Sequence, residues 1–195
     1  MHFAPDTEET LVFAVALGNT GAQASRSGTE ELGDVGALMG LLDEHRYSGR
    51  RDRSEPERLE VIATRERLRG LWRLRRDAAA LEVNGMLADA RALPFLTRHD
   101  GYDWHLHATA PEAPLAERIR VEVALALLDV IRCDEWWRLR LCAAPDCEGL
   151  VADLSRNGSR RFCSVRCGNR VNQLAHRGRA AQNTVAPPPP PLTLP

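Results

Sequence analysis

Four cysteines within one short stretch constrain this 195-residue chain more than any other feature. Cys142 and Cys147 form a C-x4-C pair, Cys163 and Cys167 form a C-x3-C pair, and fifteen residues separate the pairs. Thiolates are soft ligands, and four at one tetrahedral centre suit Zn2+. Four sulfurs also leave no open coordination position, so such an ion is expected to be structural rather than hydrolytic. Residues 142–179 alone are too few to bury a sufficient core. Zinc coordination contributes roughly 10–16 kcal/mol of apparent binding energy, most of it expressed as folding.

Two disulfides are the main competing use of these thiols. The start of the chain, MHFAPDTEET, lacks the basic stretch and apolar run of a secretory signal, which favours a reducing, cytoplasmic setting where thiols bind metal. A redox dithiol uses C-x-x-C, a spacing these pairs do not have. An iron–sulfur cluster is the other four-thiolate alternative. The fifth cysteine, Cys133, falls in an apolar helical stretch and is expected to be buried and inert. No apolar run approaches the length of a membrane span.

The net charge of −1 conceals a segregation of sign. The chain has no lysine, so its 26 basic residues are all arginine. Residues 138–179 carry nine arginines against three acids, Asp146, Glu148 and Asp153, whereas residues 1–137 carry 17 arginines against 24 acids. An acidic body is thus joined to a basic head.

Helical periodicity dominates the body. Residues 8–20 are apolar, and the four-residue spacing of Phe13 and Leu17 favours helix over a buried strand. Residues 21–33 are rich in Gly, Ser and Thr and read as a loop, after which Asp34 is placed to cap DVGALMGLLDEH. Glu55-Pro56 opens a longer helix, with Leu59, Ile62, Leu68, Leu71 and Trp72 as its apolar stripe and Arg65, Arg67, Arg69 and Arg73 facing water. Gly85 marks a break or a loosening. Phe95-Leu96 and Trp104–His107 flank the turn-rich HDGYD and predict a short hairpin. After Pro114, Ile119, Val123, Leu127 and Ile131 recur at four-residue intervals and predict a helix running through Trp136-Trp137 to the first metal cysteine.

In the head, Leu150-Val151 and Phe162 supply apolar strand residues on either side of the turn Arg156-Asn157-Gly158-Ser159. Ser164 is placed to cap a helix on which Cys163 and Cys167 share one face. Knuckle, hairpin and helix-borne ligands predict a treble-clef-like module. The predicted fold class is mainly α: a helical N-terminal domain over 1–137, a small four-cysteine zinc module of β-hairpin plus helix over 138–182, and a disordered proline-rich tail over 183–195.

The segment SRNGSRRFCSVRCGNR, with the C-x4-C pair upstream, resembles the CGNR zinc finger, whose signature stands here as Cys167-Gly168-Asn169-Arg170. Residues 10–137 resemble the helical ABATE domain that precedes this finger, with Asn19-Thr20 near the family's Asn-Thr pair. The resemblance implies a bacterial, stress-linked transcription regulator.

The residues themselves supply a candidate surface. Arg156, Arg160 and Arg161 flank the turn, and Arg166, Arg170 and Arg177 form a row on the following helix with Asn169 and Gln173 beside them. Val171, Leu174 and Gly178 continue the cysteine-bearing face. A guanidinium grips phosphate through a planar fork of donors and reads guanine the same way. DNA is therefore the expected partner, with RNA as a weaker form of the same reading. The competing expectation is an adaptor whose basic finger docks an acidic partner or its own body, with Arg160 and Arg161 paired to Asp146 or Asp153. A homodimer and a small-molecule effector on the helical body are compatible with the sequence.

Other candidates are weaker. His105 and His107 share one strand face with His99 nearby, which reads as ordinary surface histidine, with a second metal site as the alternative. Of Trp136 and Trp137, one is expected in the core and the other at the junction with the finger, with base stacking as the rival role. Asp43-Glu44-His45 reads as a solvated helix end. G-x-S-x-G, H-E-x-x-H and a phosphate-cradling glycine loop are missing from the sequence, so no enzyme activity is expected.

Overall fold

A computed structural model describes residues 3–99, 101 and 103–183; apart from Asn183, the expected proline-rich tail lies outside the described residues. The chain is mainly α-helical, with two small antiparallel hairpins.

Helix α1 spans Pro5–Gly18, opening on proline with Asp6 and Glu8 in its positive first turn and burying Leu11, Phe13, Ala14 and Leu17. Helix α2 spans Val35–Glu44, and the Asp34 carboxylate accepts the Ala37 N–H at 2.8 Å as its cap. Helix α3 spans Glu55–Leu71. Ser54 caps the Glu57 N–H, while the Glu57 carboxylate reaches back to the N–H groups of Asp52 and Arg53, each at 2.9 Å.

The buried face of α3 is Val61, Thr64, Leu68 and Leu71, and Leu59 is 51% exposed. Of the expected stripe, Leu68, Leu71 and Trp72 are buried and Ile62 packs against the core, and only Leu59 faces out; of the four arginines expected in water, two do not lie there. Arg65 and Arg69 are buried rather than solvated. Arg65 holds the Glu30 carboxylate in a two-pronged pair at 2.7 and 2.8 Å, and Arg69 donates to the Gly18 carbonyl at 2.6 Å, the otherwise orphaned end of α1.

The chain breaks at Trp72–Arg75 and resumes as α4, Arg76–Asp89; Gly85 lies inside α4 and interrupts nothing. Strands β1 (Phe95–Thr97) and β2 (His105–His107) pair antiparallel, with Thr97 opposite His105. Helix α5, Leu115–Arg132, packs against α1, α3 and α4 and buries Ile119, Val123, Leu127 and Val130.

Helix α5 does not run on to the metal cysteines. Asp134 adopts φ +58°, its N–H returns to the Ile131 carbonyl at 3.2 Å, and the Glu135 N–H returns to Val130 at 3.0 Å. This is a Schellman stop with aspartate where glycine is usual. It leaves Cys133 exposed at the helix end, not buried within it. A short 3-10 turn, Trp136–Arg138, then leads into β3, Leu139–Leu141.

Strand β3 pairs antiparallel with β4, Leu150–Ala152, with Leu141 opposite Leu150. The hairpin therefore closes across the cysteine loop and not across the Arg156–Ser159 turn, where the sequence predicts it. The first cysteine pair occupies the loop between the strands, and Arg156–Ser159 turns without strand pairing after them. Helix α6, Val165–Asn183, follows. Leu139, Leu150 and Ala152 belong to the same buried cluster as the body helices. A Cβ on Gly18 would lie 2.3 Å from Leu150 Cδ1, so glycine there lets β4 reach α1.

Candidate metal centre and basic face

Cys142 follows β3 directly, Cys147 closes the loop, Cys163 precedes α6 and Cys167 lies in its first turn. The four sulfurs lie within 4.8 Å of one another. Cys147 Sγ is 3.6 Å from Cys163 Sγ, which is 3.7 Å from Cys167 Sγ. A tetrahedral ion with metal–sulfur bonds of about 2.3 Å has sulfur–sulfur edges of about 3.8 Å, so the donors present fit such an ion.

Donors support the sulfurs from outside. The Gly149 N–H approaches Cys147 Sγ at 3.4 Å, the Cys163 N–H approaches Cys142 Sγ at 3.5 Å, and Arg170 Nη2 approaches Cys167 Sγ at 3.9 Å. Ser164 caps α6 by accepting the Cys167 N–H at 3.3 Å. Without an ion, burial and then the neighbouring Cys147 sulfur push the Cys163 thiol well up; a divalent charge at the centre inverts that preference. Gly149 has no counterpart in the sequence expectations. A Cβ there would lie 2.6 Å from Cys163 Sγ, so glycine is needed for the loop to close over the sulfurs.

The loop after β4 is organised by Asp153, which is fully buried. Its carboxylate accepts from Ser155 Oγ at 2.5 Å, the Ser155 N–H at 3.1 Å, the Arg160 N–H at 2.7 Å and Arg140 Nη2 at 2.6 Å. The cationic partner of Asp153 is therefore Arg140, and that of Asp146 is Arg170, rather than Arg160 or Arg161. Arg160 donates to the Cys163 carbonyl at 3.2 Å, and Arg161 lies 5.7 Å from the Phe162 ring centre.

The predicted basic row divides in two. Arg166 donates to the Arg26 carbonyl of the 21–33 loop, and Arg170 is held by Asp146. Both line a cavity of about 770 Å³ between that loop and the start of α6, together with Gln23, Glu31 and Cys163. Arg156, Arg160, Arg161, Asn169, Gln173 and Arg177 are exposed. Val171 packs on the sulfur cluster, but Leu174 is 55% exposed because α6 has by then run past the module. Trp136 is buried and donates to the Leu74 carbonyl at 3.1 Å; Trp137 lies against Gly158 with Arg138 4.5 Å from its ring centre.

Finger and body meet along β4. Cys142 and Arg138 occupy the ladder side of that strand, bonding Gly149 and Asp153. Alternation turns the Leu150 N–H and C=O to the opposite edge. There the Asn19 amide takes both: Oδ1 accepts the Leu150 N–H at 2.7 Å and Nδ2 donates to its carbonyl at 3.1 Å. Trp72 Nε1 donates to the Val151 carbonyl at 3.1 Å, and Arg69 donates to the Glu148 carbonyl at 3.1 Å. Thr20 bonds the Leu17 carbonyl at 2.7 Å and receives Arg65 at 3.1 Å. Asn19 of the Asn-Thr pair thus braces this junction, while Thr20 ties the end of α1 to α3 within the body.

A family model described as "Putative stress-induced transcription regulator", ABATE, matches residues 11–133. The chain belongs to the ABATE family. A second model, the CGNR zinc finger, matches residues 138–180, so the four-cysteine centre of this ABATE protein is the metal-binding site of a zinc finger. No curated protein matches the chain. Among the described residues, no helix is long and apolar enough to cross a membrane.

Proposed function

We propose that this ABATE protein is a cytoplasmic DNA-binding transcription regulator without catalytic activity, in which the helical body carries a zinc finger that contacts DNA. Zn2+, when bound by Cys142, Cys147, Cys163 and Cys167, fixes the loop after β3, the Asp153 turn and α6 relative to one another. The reading rests on one observation above all: Arg156, Arg160, Arg161 and Arg177 lie exposed around that module, and among the described residues none of the four forms an ion pair with a carboxylate of the body. Asn169 and Gln173 are exposed beside them and can add hydrogen bonds to base edges or phosphates.

Arg166 and Arg170 are supporting residues in this scheme, because each already holds part of the finger in place. Substituting them would confuse binding with folding. The test therefore uses Arg156→Ala, Arg161→Ala and Arg177→Ala in the zinc-loaded full chain, titrated against duplex DNA across a salt series. Each phosphate contact steepens the dependence of log K on log salt by about 0.9. The triple variant is expected to flatten the slope by about 2–3 while thermal stability stays unchanged. A salt-independent titration of the wild type overturns the reading. In that event the exposed Val165 and Leu174 on the same helix favour an adaptor that docks an acidic protein partner.

A further inference from the structure

We propose that His99, His105 and His107 form a second metal site, which takes a divalent transition ion on three imidazole nitrogens and leaves a coordination position open. The site lies on the β1–β2 hairpin of the body and is separate from the cysteine centre.

The geometry is that of a facial ligand set. His105 and His107 stand two apart on β2 and project from one face of it, and His99 comes from the connection between the strands. Their Nε2 atoms form a triangle: 3.1 Å between His99 and His107, 3.1 Å between His99 and His105, and 3.0 Å between His105 and His107. Metal–nitrogen bonds of about 2.1 Å give nitrogen–nitrogen edges of about 3.0 Å at right-angled positions and about 3.4 Å at tetrahedral ones. The observed triangle falls at the right-angled end of that range.

Hydrogen bonding within the triangle cannot account for it. An Nε2–H points along one line and can satisfy only one neighbour. His105 Nδ1 is 2.7 Å from the Asp103 carbonyl, which only accepts, so Nδ1 carries the proton and Nε2 presents a lone pair. His107 Nδ1 faces Glu122 Oε1 at 3.7 Å, which favours the same tautomer. Two lone pairs then face each other across 3.0 Å. A cation among the three nitrogens removes that repulsion.

The surroundings match what a metal-bound imidazole requires. A carbonyl behind His105 and a carboxylate behind His107 are the outer partners that fix ring orientation and raise ligand basicity. Glu122 is carried by α5, and the Asp6 carboxylate of α1 accepts the Leu106 N–H at 3.3 Å, so two body helices brace β2. All three rings are half-buried, which leaves a way in for the ion. Neutral nitrogen donors suit Zn2+, Co2+, Ni2+ or Cu2+ and leave the ion its full charge, so the open position suits water or a small anion. The ion here should therefore exchange more readily than one held by four thiolates.

The experiment uses the zinc-loaded full chain, dialysed against micromolar free Zn2+ and then analysed for metal per chain. Wild type is expected to hold two equivalents and His105→Ala/His107→Ala one. Glu122→Gln is expected to weaken the second equivalent by about 10–100-fold. Cobalt titration of the wild type gives a measurement that does not depend on any variant folding: the second equivalent should add ligand-field absorption without sulfur-to-cobalt charge transfer. A wild type that stops at one equivalent, a second equivalent carrying sulfur charge transfer, or a folded double variant that binds the second ion as tightly as wild type would each overturn the proposal.

Discussion

Replacing Asn19 by alanine tests whether the finger is held to the body by one side-chain amide. In the wild type both polar groups of the Leu150 backbone are satisfied by Asn19, and the Leu150 residue is fully buried. Alanine removes a donor and an acceptor and leaves a buried N–H and a buried C=O without partners. Each orphaned group costs about 1–3 kcal/mol. Asn19 itself is half-buried, so water can recover part of the loss, and a net destabilisation of about 2–4 kcal/mol is expected. A chain of this size loses about 2–4 °C in Tm per kcal/mol, which predicts a fall of roughly 5–15 °C. The assay is thermal denaturation followed by circular dichroism at fixed free zinc, since ligand concentration itself shifts Tm. Asn19→Asp provides the control: it keeps the acceptor for the Leu150 N–H, loses the donor, and should fall between the other two. Amide hydrogen exchange at Leu150 should accelerate in the alanine variant. A Tm within about 2 °C of wild type, with Leu150 exchange unchanged, would refute the clamp.

Two further outcomes follow from individual contacts. Gly149→Ala places a methyl group against Cys163 Sγ and Cβ, so its zinc affinity, measured by chelator competition, should fall at least about tenfold while the body helices keep their circular dichroism. Glu30→Gln should expose a pH-dependent term: the hydrogen bond from Arg65 holds the Glu30 carboxyl below the usual carboxylate range, so its contribution is complete above the unfolded value of about 4.3 and disappears as pH falls through the lower folded one. The Tm gap between wild type and variant should therefore be open at neutral pH and close in acid; a constant gap would contradict the assignment.

Much of the metal module was legible because its signals are local. Cysteine spacing fixes a ligand set regardless of what surrounds it, and Asp34 and Ser164 cap helices through groups three residues away. Most of what was not legible turns on a distant partner that decides a residue's role. Arg65 and Arg69 interrupt an apolar stripe and so predict a solvated face. They are buried because Glu30 and the open end of α1 lie across from them, which nothing within α3 reveals. The stop after α5 was hidden because aspartate holds the left-handed position that glycine usually marks. The hairpin was misassigned because Asn157-Gly158 gives the stronger local turn signal, while β4 takes its partner from beyond the cysteine loop. Three histidines six and two residues apart read as ordinary solvated side chains until the hairpin brings their nitrogens into one triangle.

The charge segregation carries the last step. An acidic body beside a basic finger predicts, on net charge alone, that the two neutralise each other. One contact does: Arg138 of the finger meets Glu135 of the body at 2.6 Å, right at the boundary between them. The remaining seam contacts run the other way, with arginines of the body on a carboxylate of the finger: Arg73 meets Glu148 at 2.8 Å, with Arg69 at 3.7 Å from the same group. The finger thereby commits one of its three carboxylates to the junction and two, Asp146 and Asp153, to its own arginines. The positive charge of Arg156, Arg161 and Arg177 is left without those internal counterions, on a module whose shape depends on metal. Electrostatic attraction to a polyanion and salt-sensitive association are the physical consequences of that arrangement. Reversing the seam pair with Arg73→Glu and Glu148→Arg should restore an ion pair there and leave Arg156, Arg161 and Arg177 in place, although the new cation faces Arg69. The salt slope should then stay near wild type, and the Tm of the double variant should lie above that of either single change. A double variant whose salt slope collapses while its Tm holds would show that the seam, rather than the exposed arginines, sets the charge that the partner meets.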